Sequence, residues 1–418
     1  MNILMFTNSC APRIGGVPQS IQSLRRELAL LGHSVLTVAP SDPAASFQDA
    51  GILRVPVFAR TQPAELPLPI LTRDARQRIA AFQPDIVHSH HPFLLGRTAL
   101  HAAARLGVPL VYTFHTRYDL YACAAGRGGR LLEGLFRRMM LGYCRVADAV
   151  ITPSDSIRDL LLASQVTGPV VTIPSAVDAG RVLGGDGRRL RARLGIDPGA
   201  FVLGHVGRLA PEKNLDYLAL AVSDFLRQSP DAAFLLGGDG ARRPAMLASL
   251  KACGVADRVF WVGPLQSRAI ADVYAAMDVF TFTSISETQG LAVAEALAVG
   301  LPVIALDSPG VREMLRTGAG VLLGRDAPVS AFAEAILRLK RQSKAERDTL
   351  CRKARDAVAD LTTARVVGAT AELYEGLIDR ALSRPRRGRL RASVSAELGL
   401  LSGLLSGVQV EDIWGKSA

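Results

Sequence analysis

Two kinds of segment alternate along this 418-residue chain. Short, continuous apolar runs rich in β-branched residues are separated by longer stretches in which apolar positions recur every three or four residues. The short runs of the first half are "NILMF" (2–6), "SVLTVAP" (34–40), "DIVHSH" (85–90), "PLVYTFH" (109–115) and "AVITPS" (149–154). The second half repeats the rhythm at "VLGHVGR" (202–208), "AFLLGGDG" (233–240), "VFWVGP" (259–264), "VFTFTS" (279–284) and "PVIAL" (302–306). A strand that is apolar without alternation is buried on both faces, and helices between successive strands supply the crossovers of a parallel sheet. The pattern predicts an α/β chain with two doubly wound, Rossmann-like domains. Between the two series, "TGPVVTIPSAVDAGRVLGGDGRR" (167–189) is rich in Gly and Pro and reads as a linker. The expected boundaries are 1–170 and 171–360 for the two domains. A C-terminal helix over 361–383 is expected to return to the first domain, and a basic, Leu-rich tail fills 384–418.

Composition changes this picture little. An apolar content of 49% with 6% aromatics fits a globular α/β protein with two sizeable cores. No apolar run reaches the roughly 18 residues of a membrane span. The start, "MNILMFTNS", lacks a basic region before its short apolar run and reads as a buried first strand rather than a signal peptide. Five scattered cysteines (Cys10, Cys123, Cys144, Cys253, Cys351) contain no CxxC and read as reduced thiols of a cytoplasmic protein.

Charge adds more. The formal net charge is +11, and residues 1–150 hold sixteen Lys and Arg against nine Asp and Glu. A basic first half and a basic tail suit a polyanionic surface. Nucleic acid is disfavoured, because no basic segment is interleaved with aromatics. Residues 127–145, "RGGRLLEGLFRRMMLGYCR", put Leu131, Leu132, Leu135, Phe136, Met139 and Met140 on one helical stripe beside five arginines. With "RPRRGRLR" (384–391) this suggests a peripheral site on the anionic, inner face of the cell membrane. A core-facing stripe with solvated arginines is the competing reading.

Ligands of open parallel sheets gather outside the carboxyl ends of the strands, and the unusual polar residues of this chain fall there. Asn8, Gly15 and Gly16 follow the first strand; His115 ends "VYTFH"; Arg208 ends "LGHVGR"; Asp239 ends "LLGGDG". Two domains facing each other through these edges would share a cleft. In "RLAPEKN" (208–214), Arg208 and Lys213 stand five apart across a turn into a helix, where cations, free amides and helix dipole together suit a diphosphate. In "TSISETQGLAVAEA" (283–296), Gly290 lets backbone amides approach a phosphate, with Leu291 opening a helix aimed at the same point. Glu287 and Glu295 flank that turn. Carboxylates repel phosphate and accept from hydroxyls, so the ligand implied has phosphates in its middle and hydroxyls at both ends: a nucleotide-diphosphate sugar. "APRIGGVPQS" (11–20) gives Gly15 and Gly16 amides for a distal phosphate or a sugar, without the GxGxxG spacing of a dinucleotide fold, which argues against an NAD-dependent oxidoreductase. His115 can hydrogen-bond a sugar or shuttle a proton. His88, His90 and His91 have no acidic partner after them and read as a loop near the acceptor rather than a metal site.

Together these segments resemble the retaining glycosyltransferases of family 4, with the GT-B fold. The resemblance rests on "GGV", "FHTRYDLY", "RLAPEKN", "GGDG", "WVGPL" and the E-x7-E element "ETQGLAVAE". It implies an acceptor-binding first domain and a nucleotide-sugar-binding second domain. It makes Arg208 and Lys213 the diphosphate clamp, Glu295 the ribose carboxylate, and Glu287 the ligand of the donor-sugar hydroxyls, with amides from Gly290 and Leu291. His115 would lie beside donor sugar and acceptor, and the base near Val262–Leu265. It implies a hexosyltransferase with no metal and no cofactor beyond the nucleotide sugar. "FHTRYDLY" with "SETQGL" looks like bacterial enzymes that glucosylate diacylglycerol, so UDP-glucose and a lipid acceptor are expected. GDP-mannose with a lipid or soluble acceptor is the alternative. A sugar-nucleotide epimerase and a catalytically silent nucleotide-sugar sensor remain as rivals.

Overall fold

The computed structural model describes residues 1–383 apart from 14, 44, 46–50, 62–65, 119, 121–128 and 266–268. The chain divides into two compact units. One comprises Met1–Pro174 with the segment from Thr363, and the other comprises Ser175–Thr362.

The first unit is built on a seven-stranded parallel sheet. Its strands are β1 (Asn2–Phe6), β2 (Ser34–Pro40), β3 (Ile52–Val55), β6 (Ile86–Ser89), β7 (Leu110–Thr113), β8 (Ala149–Thr152) and β9 (Val170–Thr172), in the order β3-β2-β1-β6-β7-β8-β9. β4 (Val57–Thr61) and β5 (Leu66–Pro69) pair antiparallel apart from it. Successive residues of each central strand face opposite ways, so both faces are apolar. Leu4, Phe6, Val87 and Tyr112 join one core; Ile3, Met5, Ile86 and Val111 join the other. The helix Thr363–Leu382 belongs to that second core through Val367, Ala371, Tyr374 and Leu377, a helical stripe spaced four, three and three.

The second unit has a six-stranded parallel sheet. Its strands are β10 (Phe201–Val206), β11 (Ala232–Gly237), β12 (Val259–Trp261), β13 (Val279–Phe282), β14 (Val303–Leu306) and β15 (Gly320–Leu323), in the order β12-β11-β10-β13-β14-β15. Leu203, Phe234 and Ile304 pack on one face, and Val202, Leu235 and Phe280 on the other. In both sheets the strand order reverses beside the first strand, at β1/β6 and β10/β13, which is where a doubly wound sheet opens a ligand crevice.

All ten strands read from the sequence are present. The parallel-sheet strands that the pattern missed, β3, β9 and β15, are sheet edges or next to nothing beyond them: short and only partly buried, they need no continuous apolar run. The segment 167–189, read as a linker, is folded over part of its length. It holds β9 and the helical turn Ala179–Val182, with the boundary between units at Pro174. Cys144, Cys253 and Cys351 form no disulfide among the described residues.

The last helix is tied to its sheet by one buried polar bond. The Tyr374 hydroxyl lies 2.6 Å from His88 Nδ1, and both residues are fully buried. Tyr374→Phe leaves that nitrogen without a partner and should destabilise the fold by about 1–3 kcal/mol. Urea unfolding measures this, and an unchanged midpoint would show that the bond contributes nothing.

Candidate active site

The richest group of polar side chains in the second unit lies at the carboxyl ends of β10 and β13. After β10 the chain passes Arg208 into a tight turn at Pro211–Lys213 and then the helix Leu215–Gln228. Asn214 takes the left-handed conformation (φ 55°) that lets the turn pass directly into the helix; Asn tolerates this better than most residues. The carbonyls of this turn are spent locally. Thr283 Oγ1 donates to Lys213 O (3.1 Å) and Asn214 O (3.2 Å), and Ser284 Oγ donates to Glu212 O (3.2 Å). Two motifs about 70 residues apart in sequence are thereby stitched together.

Across that seam Lys213 Nζ meets Glu287 Oε1 at 2.5 Å, with 17% and 16% of the two side chains exposed. Burial alone would raise the Glu287 carboxyl. The Lys213 ammonium, hydrogen bonds from Lys213 and Ser284, and the charge of Arg208 outweigh it, so the group stays below the usual glutamate range and ionised. Arg208 is more exposed and donates from Nη2 to Glu212 Oε1 at 2.6 Å. Beneath them His205 is fully buried beside Phe280 and Phe282 and donates from Nδ1 to Thr281 O (2.9 Å). Burial holds it down at about 4.

The glycine turn comes next. Gly290 has φ 86°, and an added Cβ would lie 2.8 Å from Val311 Cγ2, so glycine is required on both counts. It caps the helix Leu291–Ala298, whose first turn receives no side-chain cap. Gln289 holds the turn from behind, with Oε1 accepting from Ser175 N (2.8 Å) and Nε2 donating to Ser175 O (2.9 Å). Gly310 closes the other side, where a Cβ would be 2.2 Å from Gln289 Cα.

Glu295, one turn into that helix, is 3% exposed. Its Oε1 accepts from Arg181 Nη1 at 2.5 Å and its Oε2 from the Tyr274 hydroxyl at 2.8 Å. The structure therefore gives Glu295 a fixed, paired place in the unit. A third cluster lies beyond β11 and β12. Leu265 is buried in the core and Val262, partly buried, packs against that same core. Trp261 is half-exposed, donates from Nε1 to Gly238 O (2.7 Å), and carries the Arg243 guanidinium 4.4 Å above its ring. Arg243 also holds both Asp239 oxygens at 2.9 Å.

In the first unit, Gly15 caps the helix Gly16–Leu30, again without a side-chain cap. His115 follows β7, and its Nε2 lies 3.0 Å from His90 Nδ1. The histidine cluster read as a loop near the acceptor is buried: His88, His90 and His91 are 0%, 2% and 6% exposed. Burial pushes His88 and His91 down to about 3 and His115 to about 4. Among the described residues no group of three or more His, Cys, Asp or Glu is placed to hold a metal ion.

The structure thus brings Arg208, Lys213, Glu287, Gly290 and Leu291 into one neighbourhood of the second unit. Sequence reasoning missed Arg181, Tyr274, Gln289 and His205. Arg181 and Gln289 reach partners 114 positions away, which no local spacing reveals.

Two family models match the chain: "Glycosyltransferase Family 4" over residues 14–181 and "Glycosyl transferases group 1" over residues 200–342. A GDP-mannose-dependent alpha-mannosyltransferase of Mycobacterium tuberculosis is 32% identical over 330 residues, covering 76% of this chain and 83% of the relative. The chain belongs to the family 4 glycosyltransferases. An alpha-monoglucosyldiacylglycerol synthase of Streptococcus pneumoniae is 29% identical to it over 350 residues, covering 81% of this glycosyltransferase and 78% of that one. Among solved structures, a sucrose-phosphate synthase from Thermosynechococcus elongatus superposes with a TM-score of 0.74 at 20% identity, covering 90% of this chain and 99% of that one. The structural likeness shows the GT-B fold.

The Arg181–Glu295 pair yields a prediction. Only 4% of the Glu295 side chain is exposed, so Arg181→Met strands a buried carboxylate and should cost the glycosyltransferase about 3 kcal/mol. Adding Glu295→Gln should recover most of that loss. Additive losses in a double-mutant cycle by chemical unfolding would show that the pair is not coupled.

Proposed function

We propose that the protein is a retaining, metal-independent hexosyltransferase that moves glucose from UDP-glucose to diacylglycerol or a related lipid acceptor. The observation that carries the reading is the Lys213–Glu287 pair at 2.5 Å, set beside Arg208 and the glycine-opened helix at Leu291. Cations and helix amides suit a leaving nucleoside diphosphate and take the place of a divalent metal. Glu287, kept ionised, suits hydroxyls of the transferred sugar. Glu295 would accept from the ribose while Arg181 and Tyr274 hold its carboxylate still. Gly15 and Gly16 would offer amides to a distal phosphate or the sugar, and the base would lie along 262–265. The acceptor hydroxyl would attack on the face the diphosphate leaves, giving its proton to the leaving phosphate.

The choice of donor and acceptor draws on the relatives. The pneumococcal relative is named for a glucosyldiacylglycerol product, which supports glucose and a lipid. The mycobacterial relative is named for GDP-mannose, and its similar identity supports GDP-mannose as the second reading. Labelled UDP-glucose and GDP-mannose, each with diacylglycerol and with water-soluble acceptors, separate the readings by donor used and by the phase that takes up label. Conversion of the nucleotide sugar without any acceptor would instead indicate an epimerase.

Within this reading Lys213→Ala should lower kcat by roughly 10²–10³, the scale for removing one preorganised charge-stabilising group. Turnover within twofold of wild type in a folded variant would remove Lys213 from the diphosphate site.

A peripheral place on the inner membrane face belongs to the same proposal. No described helix is long and apolar enough to cross a membrane. Of the apolar stripe on the helix Gly129–Val146, Met140 is buried and Phe136 packs edge-to-face on Phe93, so this part faces the core. Leu135 is 40% exposed, and Arg138 beside it is exposed too. The side chains of Leu131 and Leu132 and the basic tail 384–391 lie outside the described residues. Arginine beside exposed leucine suits an anionic interface. Liposome flotation should show binding to anionic lipid that weakens with salt; binding indifferent to both lipid charge and salt would rule out the electrostatic account.

A further inference from the structure

The first unit carries a cluster of histidines that the reading above leaves largely unused. His88 spends both ring nitrogens on the fold, at the Tyr374 hydroxyl (2.6 Å) and at Thr113 Oγ1 (2.7 Å). His91 accepts at Nδ1 from the backbone amide of Asn8 at 3.2 Å. His90 is different. Its Nδ1 faces His115 Nε2 at 3.0 Å, and the two ring planes differ by 25°. Near-coplanar rings are what an N–H of one imidazole needs to meet the in-plane lone pair of the other.

Two facing ring nitrogens share one proton: one donates and the other accepts. Burial keeps His115 down at about 4 and His90 well below the ordinary histidine value, so each ring carries a single proton at neutral pH. Two arrangements then remain. In one, His115 Nε2–H donates to His90 Nδ1, and the His90 proton sits on its own Nε2. In the other, His90 Nδ1–H donates to His115 Nε2, and His90 Nε2 is a bare lone pair. His90 is 2% exposed, and its Nε2 is buried with no hydrogen-bond partner among the described residues. An orphaned buried N–H is rarer in folded proteins than an under-satisfied acceptor. The second arrangement wins.

We propose that His90 is a positioning residue that holds His115 in the tautomer protonated at Nδ1, with Nε2 tied down as an acceptor. The inference rests on the reading that His115 meets the donor sugar or the acceptor, and it deepens it. With its basic nitrogen occupied, His115 is a hydrogen-bond donor rather than a general base. The proton of the acceptor hydroxyl must then go elsewhere, which agrees with its transfer to the leaving phosphate. His90 acts only through His115.

The 418-residue chain contains seven histidines, few enough for ¹⁵N-histidine labelling and long-range ¹⁵N–¹H spectra. The His115 signal is identified by its loss in His115→Asn. The expected result at pH 7 is a protonated Nδ1 and a bare Nε2 on His115. His90→Phe keeps a flat ring but removes the donor. It should turn His115 into a tautomer mixture and lower kcat by about 3–10-fold, the worth of one hydrogen bond, while the donor KM stays put. His90→Asn places an amide N–H where Nδ1–H stood and should restore the tautomer and recover kcat relative to His90→Phe. A wild-type His115 protonated at Nε2 overturns the proposal, as does a His90→Phe variant whose His115 tautomer is unmoved. Should His90→Phe not fold, the wild-type spectrum decides alone. If the tautomer is as expected but His115→Asn keeps full turnover, the tautomer assignment stands and the placement of His115 at the sugar fails.

Discussion

The ion pair between Lys213 and Glu287 is the constraint around which the strand ends of the second unit are arranged. At 2.5 Å, with about a sixth of each side chain exposed, neither charge has enough water to stand without the other. Each residue lies on a turn that would drift if only its own sequence held it. The Thr283 and Ser284 hydroxyls prevent this by taking up the carbonyls of residues 212–214, and Gln289 fixes the next turn against Ser175. The pair is therefore both a charge arrangement and the point where two loops are registered. Breaking one partner is expected to disturb charge and loop position together, so turnover is informative only in variants shown to be folded.

The first unit solves a related problem with neutral groups. Its strand ends carry four histidines in close company, and burial keeps them uncharged instead of pairing them with acids. A neutral imidazole has one donor and one acceptor, so such a cluster has to be wired in a definite sense. Tyr374 is part of that wiring and arrives from the far end of the described chain. The helix Thr363–Leu382 thus contributes apolar packing and also completes the hydrogen bonding under the strand ends.

Much of this was legible in the sequence. Ten strands stood out because strands buried on both faces leave continuous apolar runs, and polar residues at their carboxyl ends are conspicuous against that background. Short edge strands such as Val170–Thr172 did not stand out, because partial exposure relaxes the apolar requirement. For the candidate site, the sequence pointed to residues placed by local logic: a cation beside a turn, a glycine before a helix. It was silent on residues placed by tertiary logic. Nothing around Arg181 announces that it will meet Glu295, and nothing around Tyr374 announces His88. The apolar stripe of residues 131–140 shows a different limit, because two readings fit one spacing. Its helical spacing is real, yet the same spacing serves a core, and Met140 and Phe136 went there.

Three carboxylates in this region of the second unit, Glu212, Glu287 and Glu295, each hold a cation: Arg208, Lys213 and Arg181. The pairs are individually neutral, which bears on how a diphosphate would be recognised. An ammonium or guanidinium fixed by a carboxylate has already lost its rotamer freedom, so less ordering entropy remains to be lost when an anion arrives. The anion must nevertheless compete with that carboxylate, which lowers the net gain. The uncapped helix start at Leu291 carries no such competitor, since its amides face no acidic side chain in the first turn. On the proposed reading, recognition is thus divided. Helix amides supply attraction that Glu287 and Glu295 do not cancel, and the paired cations supply geometry. As the diphosphate gains charge on leaving the sugar, its attraction to Lys213 and its repulsion from Glu287 grow together, so on this reading the pair favours the departing group only as far as the cation lies nearer to it than the carboxylate does, and the helix amides supply the rest.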